Sequence, residues 1–184
     1  MEKLHEPLPG VLELRAPSFG DARGSFTETF NRRTMADLGV DLDFVQDNES
    51  FSSTTGTVRG LHLQAAPHAQ GKLVRVLQGA IFDVAVDVRP DSPTFRRHAA
   101  VELHAGDRRA FWIPAGFAHG FCTLTENTIV GYKVTDFYAP EAERSIRFDD
   151  PDLAIDWPVE RAAAVLSDKD AAAPSFAAFL EELD

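Results

Sequence analysis

Cysteine is all but absent: Cys122 stands alone among 184 residues, so no internal disulfide can staple this chain. Its neighbourhood, Gly120-Phe121-Cys122-Thr123-Leu124, is apolar, a setting in which a thiol packs as a small core residue and not as a nucleophile. Such usage fits a reducing cytoplasm. Long hydrophobic runs are missing as well. None approaches the roughly 20 apolar residues that a bilayer span requires, and Met1-Glu2-Lys3-Leu4-His5-Glu6-Pro7 lacks the apolar centre of a secretion signal. The chain is expected to be soluble and cytoplasmic, with no membrane partner. Basic residues are scarce, 18 Lys and Arg against 29 Asp and Glu, for a formal net charge of −11. That balance argues against nucleic acid and anionic membranes as general partners, because both reward a basic surface. An anionic ligand must instead meet a local cluster of Arg and Lys. No repeat, low-complexity tract or linker divides the sequence, and its length suits one domain spanning residues 1–184.

What is present is a succession of short apolar runs, rich in β-branched and aromatic residues and closed by Gly, Pro, Asp and Ser. Strands are expected at Gly10 to Leu14, Gly24 to Phe30, Phe44 to Asn48, Val58 to Gln64, Gly71 to Leu77 and Ile81 to Val88. Further strands are expected at Arg97 to Leu103, Arg108 to Ile113, Gly120 to Leu124, Thr128 to Tyr138 and Ser145 to Phe148. The texture is all-β, a sandwich, barrel or jelly roll. Helices are expected from Arg32 to Leu38, ending at Gly39, and from Pro174 to Leu183, where Phe176, Phe179 and Leu180 fall at helical spacing. Alternation places Phe82, Val84, Val86 and Val88 on one face of their strand and Ile81, Asp83, Ala85 and Asp87 on the other. It also places Tyr132 and Tyr138, the two tyrosines of the chain, on one face of Thr128 to Tyr138.

The segment Val58-Arg59-Gly60-Leu61-His62-Leu63-Gln64, then Lys72, then Pro114-Ala115-Gly116-Phe117-Ala118-His119-Gly120-Phe121, sets charged and basic groups inside strand-like apolar sequence. Burying an unpaired polar group costs free energy, so such residues either find partners or line a cavity. The residues alone leave ordinary roles open: Lys72 as an exposed strand lysine, either tyrosine as a core ring with a bonded hydroxyl, His119 as an internal hydrogen-bonding group.

Pro114-x-Gly116-x-x-His119 resembles the second motif of the cupin superfamily, jelly rolls that bind ligands inside the barrel mouth. Metal-binding cupins carry His-x-His in their first motif, whereas this chain has His62-Leu63-Gln64, so no metal site is expected. A longer ordered set resembles the dTDP-4-dehydrorhamnose 3,5-epimerase family: Arg23-Gly24-Ser25-Phe26-x-Glu28, Phe44-Val45-Gln46-Asp47-Asn48-x-Ser50, Arg59-Gly60-Leu61-His62-x-Gln64, Gln70-Gly71-Lys72-Leu73-Val74, Asp83-Val84-Ala85-Val86-Asp87-x-Arg89, Ile113-Pro114-x-Gly116-Phe117-Ala118-His119-Gly120-Phe121, Tyr132-Lys133 and Ile155-Asp156-Trp157-Pro158.

The resemblance implies a metal-free, cupin-like jelly roll acting on a dTDP-sugar without any cofactor. The expected reaction inverts C3 and C5 beside the C4 ketone of dTDP-4-dehydro-6-deoxy-D-glucose, giving dTDP-4-dehydro-L-rhamnose for dTDP-L-rhamnose biosynthesis. By resemblance, His62 is the base and Tyr132 the acid, while Lys72 stabilises the enolate oxygen. Asp170 matches the carboxylate that orients His62, with Asp168 and Asp83 as competitors. Arg23 and Arg59 match phosphate contacts. Glu28, Gln46 and Asn48 match positions holding nucleotide or sugar, and Phe26 is placed to stack on the thymine ring. His119, Tyr138, Glu143 and Lys169 match further substrate contacts. The family's N-terminal arm crosses to a neighbouring subunit, which implies a homodimer with shared sites. The loop Ala65-Ala66-Pro67-His68-Ala69 bears on substrate choice. Other readings stay open: epimerisation at one carbon only in secondary metabolism, a metal-dependent cupin oxygenase or isomerase, and a non-catalytic sugar-binding jelly roll.

Overall fold

The structure, a computed structural model, describes residues 1–182. Its strands are β1 (Glu2–Leu8), β2 (Val11–Arg15), β3 (Ser18–Asp21), β4 (Gly24–Thr27), β5 (Gln46–Ser52), β6 (Val58–Gln64), β7 (Lys72–Gln78), β8 (Ala80–Asp87), β9 (His98–His104), β10 (Arg109–Ile113), β11 (Phe117–Thr123), β12 (Thr128–Val134) and β13 (Glu143–Ser145). Helices are short: α1 (Arg32–Asp37), α2 (Asp168–Ala171) and α3 (Phe176–Glu181). One sheet runs β1-β2-β10-β7-β12-β5, a second runs β13-β6-β11-β8-β9, and β3-β4 form a separate hairpin.

Alternating side chains make each sheet apolar on both faces, and each face has its own cover. Between the sheets, Val74, Phe111, Ile113 and Val130 pack against Ile81, Ala85, Phe117 and Phe121. Outside the first sheet, Met35 of α1 packs with Leu12, Leu14, Leu73 and Trp112. Outside the second, Phe176 and Phe179 of α3 pack on Leu61, Val84, Val86, Val88 and Ile146. Burial of each such phenylalanine is worth roughly 1.5–3 kcal/mol, enough to fix a helix of so few turns. The apolar face expected for β8 therefore turns outward to the C-terminal helix, and Asp83 and Asp87 turn inward, both fully buried. α1 starts where the Asn31 side chain accepts from the Thr34 N–H, and Gly39 follows it at φ +90.

Several boundaries differ from the sequence expectation. β1 and β3 were not expected. The β1 residues Glu2, Lys3, His5, Glu6 and Pro7 read as a polar segment, which is what an edge strand tolerates. β5 starts at Gln46 and runs on to Ser52, β11 starts three residues early, at Phe117, and β13 covers Glu143–Ser145 in place of Ser145 to Phe148. The strand expected from Thr128 to Tyr138 stops at Val134, because from Asp136 onward the backbone bonds to side chains instead of to a neighbouring strand. α2 was not expected either; it is capped by the Ser167 hydroxyl, which accepts from the Asp170 N–H at 3.1 Å. Leu183, the end expected for the C-terminal helix, lies outside the described residues.

One close approach sets the register that matters most. A Cβ on Gly60, whose φ is +118, would lie 2.6 Å from both the Gly120 Cα and the His119 carbonyl oxygen. Only glycine fits there. The β6–β11 pair thereby closes tightly across an irregularity between His119 and Phe121, and His62 stands opposite His119.

Candidate active site

At one end of the space between the sheets the apolar core gives way to polar side chains. A cavity of about 320 Å³ is lined there by Gln46 and Asn48 of β5, His62, Leu63 and Gln64 of β6, Lys72 of β7 and Tyr132 of β12, together with Gln70, Tyr138 and Glu143. β6 belongs to one sheet and β7 and β12 to the other, so His62 faces Lys72 and Tyr132 from the opposite wall.

His62 donates from Nε2 to Asp170 Oδ1 at 2.6 Å. Asp170 Oδ1 also accepts from the Gly60 N–H at 3.3 Å, and Oδ2 from the Ser167 hydroxyl at 2.8 Å. Burial alone would raise this carboxyl, yet the bonds from His62, Ser167 and Gly60 outweigh it and hold Asp170 below the usual carboxylate range. It is therefore an ion against an imidazole whose Nδ1 is left for other work. Asp168 is exposed, and Asp83 bonds to His119 Nε2 at 2.6 Å, so of the three carboxylates considered it is Asp170 that meets His62.

Lys72 donates from Nζ to the His62 carbonyl oxygen at 3.3 Å. Burial pushes its ammonium down to about 8, partly opposed by the negative charge of Asp83 and Glu143. Burial likewise raises the Tyr132 phenol, with Arg59 acting the other way, so the hydroxyl keeps its proton at neutral pH. His119 is pushed down by burial against the pull of Asp83. Asp83 Oδ2 is buried without a hydrogen-bond partner among the described residues, within electrostatic reach of the Lys72 ammonium. Glu143 joins two further groups: its Oε2 accepts from the Tyr138 hydroxyl at 2.9 Å and its Oε1 pairs with Lys169. Arg59 is anchored at the Ser52 hydroxyl, 3.2 Å, and at the Phe51 carbonyl, 2.8 Å.

Of the expected site residues that do not line the cavity, Asp170 and Lys169 bond to residues that do, His119 stands opposite His62, and Arg59 lies within electrostatic reach of Tyr132, whereas Arg23, Phe26 and Glu28 lie elsewhere. Arg23 and Phe26 sit on the β3–β4 hairpin, in a separate shallow depression with Phe19, and Phe26 is 70% exposed. Arg23 pairs with Asp21 in full solvent. Glu28 accepts from the Asn31 amide at 3.2 Å and does not line the cavity. Conversely, Leu63, Gln64 and Gln70 line it without having been singled out. Gln64 was legible in principle, since alternation along β6 puts it on the face of His62. Among the described residues no three His, Cys, Asp or Glu side chains converge to hold a metal ion, and no helix is long and apolar enough to cross a membrane.

The family model described as dTDP-4-dehydrorhamnose 3,5-epimerase matches residues 5–178. The dTDP-4-dehydrorhamnose 3,5-epimerase of Sinorhizobium fredii is 49% identical over 162 residues, 88% of this chain and 83% of that protein. The solved structure of the Legionella pneumophila dTDP-6-deoxy-D-glucose-3,5-epimerase in complex with dTDP-4-keto-L-rhamnose superposes with a TM-score of 0.93 at 45% identity, covering 99% of this chain and 96% of that one. A 3'-monoepimerase from Streptomyces bikiniensis in complex with dTDP-quinovose superposes at 0.87 with 34% identity, covering 100% and 90%. With its cupin-like jelly roll and its nearly full-length match, this chain belongs to the dTDP-4-dehydrorhamnose 3,5-epimerase family.

Proposed function

We propose that the protein converts dTDP-4-dehydro-6-deoxy-D-glucose to dTDP-4-dehydro-L-rhamnose by inverting C3 and then C5, or the reverse, within the His62–Lys72–Tyr132 cavity. The observation that carries this reading is the His62–Asp170 pair at 2.6 Å on one wall, with Lys72 and Tyr132 on the other. Both carbons flank the C4 ketone, so loss of either C–H proton leaves an enolate and no redox cofactor is called for. His62 Nδ1 takes the proton, and ionised Asp170 stabilises the resulting imidazolium and fixes its orientation. Lys72 places positive charge where the enolate oxygen develops, an arrangement worth a few kcal/mol in the transition state. Tyr132 gives its phenolic proton to the opposite face of the carbon, which completes the inversion. Its phenolate is then reprotonated from solvent, and the His62 imidazolium gives its proton up to solvent, so that both groups are reset for the second carbon.

Arg59, Gln46, Asn48, His119, Tyr138, Glu143 and Lys169 would bind the sugar and diphosphate around this centre. Arg23, Phe26 and Glu28 lie away from the cavity of their own chain, on an exposed hairpin and its continuation, a placement that suits delivery to a second copy in a homodimer with shared sites. The single buried cysteine suits a cytoplasmic setting. Epimerisation at both carbons is favoured over one by the higher identity to 3,5-epimerases than to the 3'-monoepimerase. The test is incubation with dTDP-4-dehydro-6-deoxy-D-glucose in D₂O, with deuterium followed by NMR. Label and inversion at C3 and C5 are expected; label at one carbon would replace this reading with single-site epimerisation, and none would remove the substrate.

A further inference from the structure

β12 stops at Val134, yet the chain must still cross the cavity mouth and deliver Tyr138 to its wall. Backbone polar groups that leave a sheet need new partners. Here three glutamine side chains supply them. The Asp136 carbonyl accepts from Gln70 Nε2 at 2.6 Å and the Phe137 carbonyl from Gln64 Nε2 at 3.1 Å. The Tyr138 N–H donates to Gln46 Oε1 at 3.2 Å and the Ala139 N–H to Gln64 Oε1 at 2.9 Å. Gln64 is the buried centre of this set, and its second amide hydrogen goes to the His68 carbonyl at 2.6 Å.

We propose that Gln64 is a positioning residue: its amide, together with Gln46 and Gln70, holds residues 136–139 in the one shape that sets Tyr138 in the cavity wall. Gln64 lines the cavity, yet both of its N–H groups are spent on carbonyls and its oxygen on the Ala139 N–H, so it acts through the segment. A histidine at this position, with one donor and one acceptor in the neutral ring, could not tie the two loops and Ala139 at once. Gln64 thereby also couples the 65–69 loop to Tyr138, through the His68 carbonyl. The consequence for function rests on the epimerase reading above.

The test uses the full chain with Gln64→Met, Tyr138→Ala and the double variant, each checked for a cooperative melt. Gln64→Met is expected to raise KM roughly tenfold with little change in kcat, and to add almost nothing when Tyr138 is already Ala. Effects on kcat/KM that multiply in the double variant, or wild-type kinetics in Gln64→Met, would overturn the proposal. Amide exchange supplies a readout independent of substrate: the Tyr138 and Ala139 N–H groups should exchange at least roughly tenfold faster in Gln64→Met, and unchanged rates overturn it. Should Gln64→Met fail to fold, Gln64→Asn, one methylene too short to make all three bonds at once, is read in the same two ways and with the same outcomes. Absence of turnover in the wild type alongside would count against the epimerase reading, while the exchange rates still decide this one.

Discussion

His62 and His119 stand directly opposite one another across β6 and β11, and each is held through Nε2 at 2.6 Å by its own buried carboxylate, Asp170 in one case and Asp83 in the other. The difference between the pairs is access. The His62 side chain is 27% exposed and His119 only 8%, so the first ring opens on the cavity while the second is almost wholly covered.

Asp170→Asn should preserve the shape of the pair but remove the charge that stabilises the imidazolium. A loss of kcat of roughly 10²–10⁴ is expected with a near-normal melting temperature, by the logic of a carboxylate–histidine pair. Steady-state kinetics beside a thermal melt checks both halves; a wild-type kcat would detach Asp170 from the reaction.

Lys72 gives opposite pH trends for activity and stability. Its ammonium is held at about 8, against 10.5 when unfolded, so between these values the unfolded chain binds more protons than the folded one. Stability should therefore gain a contribution from this group as pH rises from about 8 toward 10.5, while turnover falls as the cation is lost. Lys72→Met should remove that stability gain and cut turnover at least ~100-fold, with nucleotide binding retained. Denaturant titrations across this range, paired with rate measurements, decide it.

Tyr132→Phe keeps the base and loses the acid. Proton removal by His62 should continue, with return to the same face, so deuterium enters the substrate in D₂O while inversion drops by roughly 10²-fold or more. Inversion at the wild-type rate would exclude Tyr132 as the donor.

Gly60→Ala tests the close approach that sets the register of the two histidines. The added carbon would meet the Gly120 Cα and the His119 carbonyl oxygen at 2.6 Å, on a backbone that L-residues rarely adopt. A destabilisation of roughly 3 kcal/mol or more, or failure to fold, is expected in thermal unfolding.

If the β3–β4 hairpin completes the site of a second copy, inactive His62→Ala and weakened Arg23→Ala proteins should complement each other when mixed and allowed to exchange subunits. Each mixed dimer then carries one site with both residues intact, so activity should return toward a quarter of the wild-type level by random pairing. No recovery would mean that Arg23 serves its own chain or none.

Much of this was legible because it is local. A two-residue period is a property of the strand itself, and it placed Phe82, Val84, Val86 and Val88 against Asp83 and Asp87 before any partner was known. The same period failed beyond Val134, where three glutamine amides take over from the neighbouring strands, and it could not register β1, whose charged residues suit an edge. The residue types also fixed the available chemistry: imidazole, ammonium, phenol and carboxylate are what proton transfer beside a ketone requires. Which carboxylate serves which imidazole was not legible from pattern or spacing; only the family resemblance pointed to Asp170, with Asp168 and Asp83 left as competitors. Asp170 lies 108 residues from His62, and only sheet order, the cap at Ser167 and burial of α3 bring them to 2.6 Å. Hydrogen bonding acts over a few ångströms in space, whereas the sequence specifies neighbours only along the chain. Sequence alone thus determined the inward and outward faces of individual strands and the reactive groups they carry. The tertiary structure decided their pairing, the course of the segment that carries Tyr138, and the separation of the Arg23 hairpin from its own cavity.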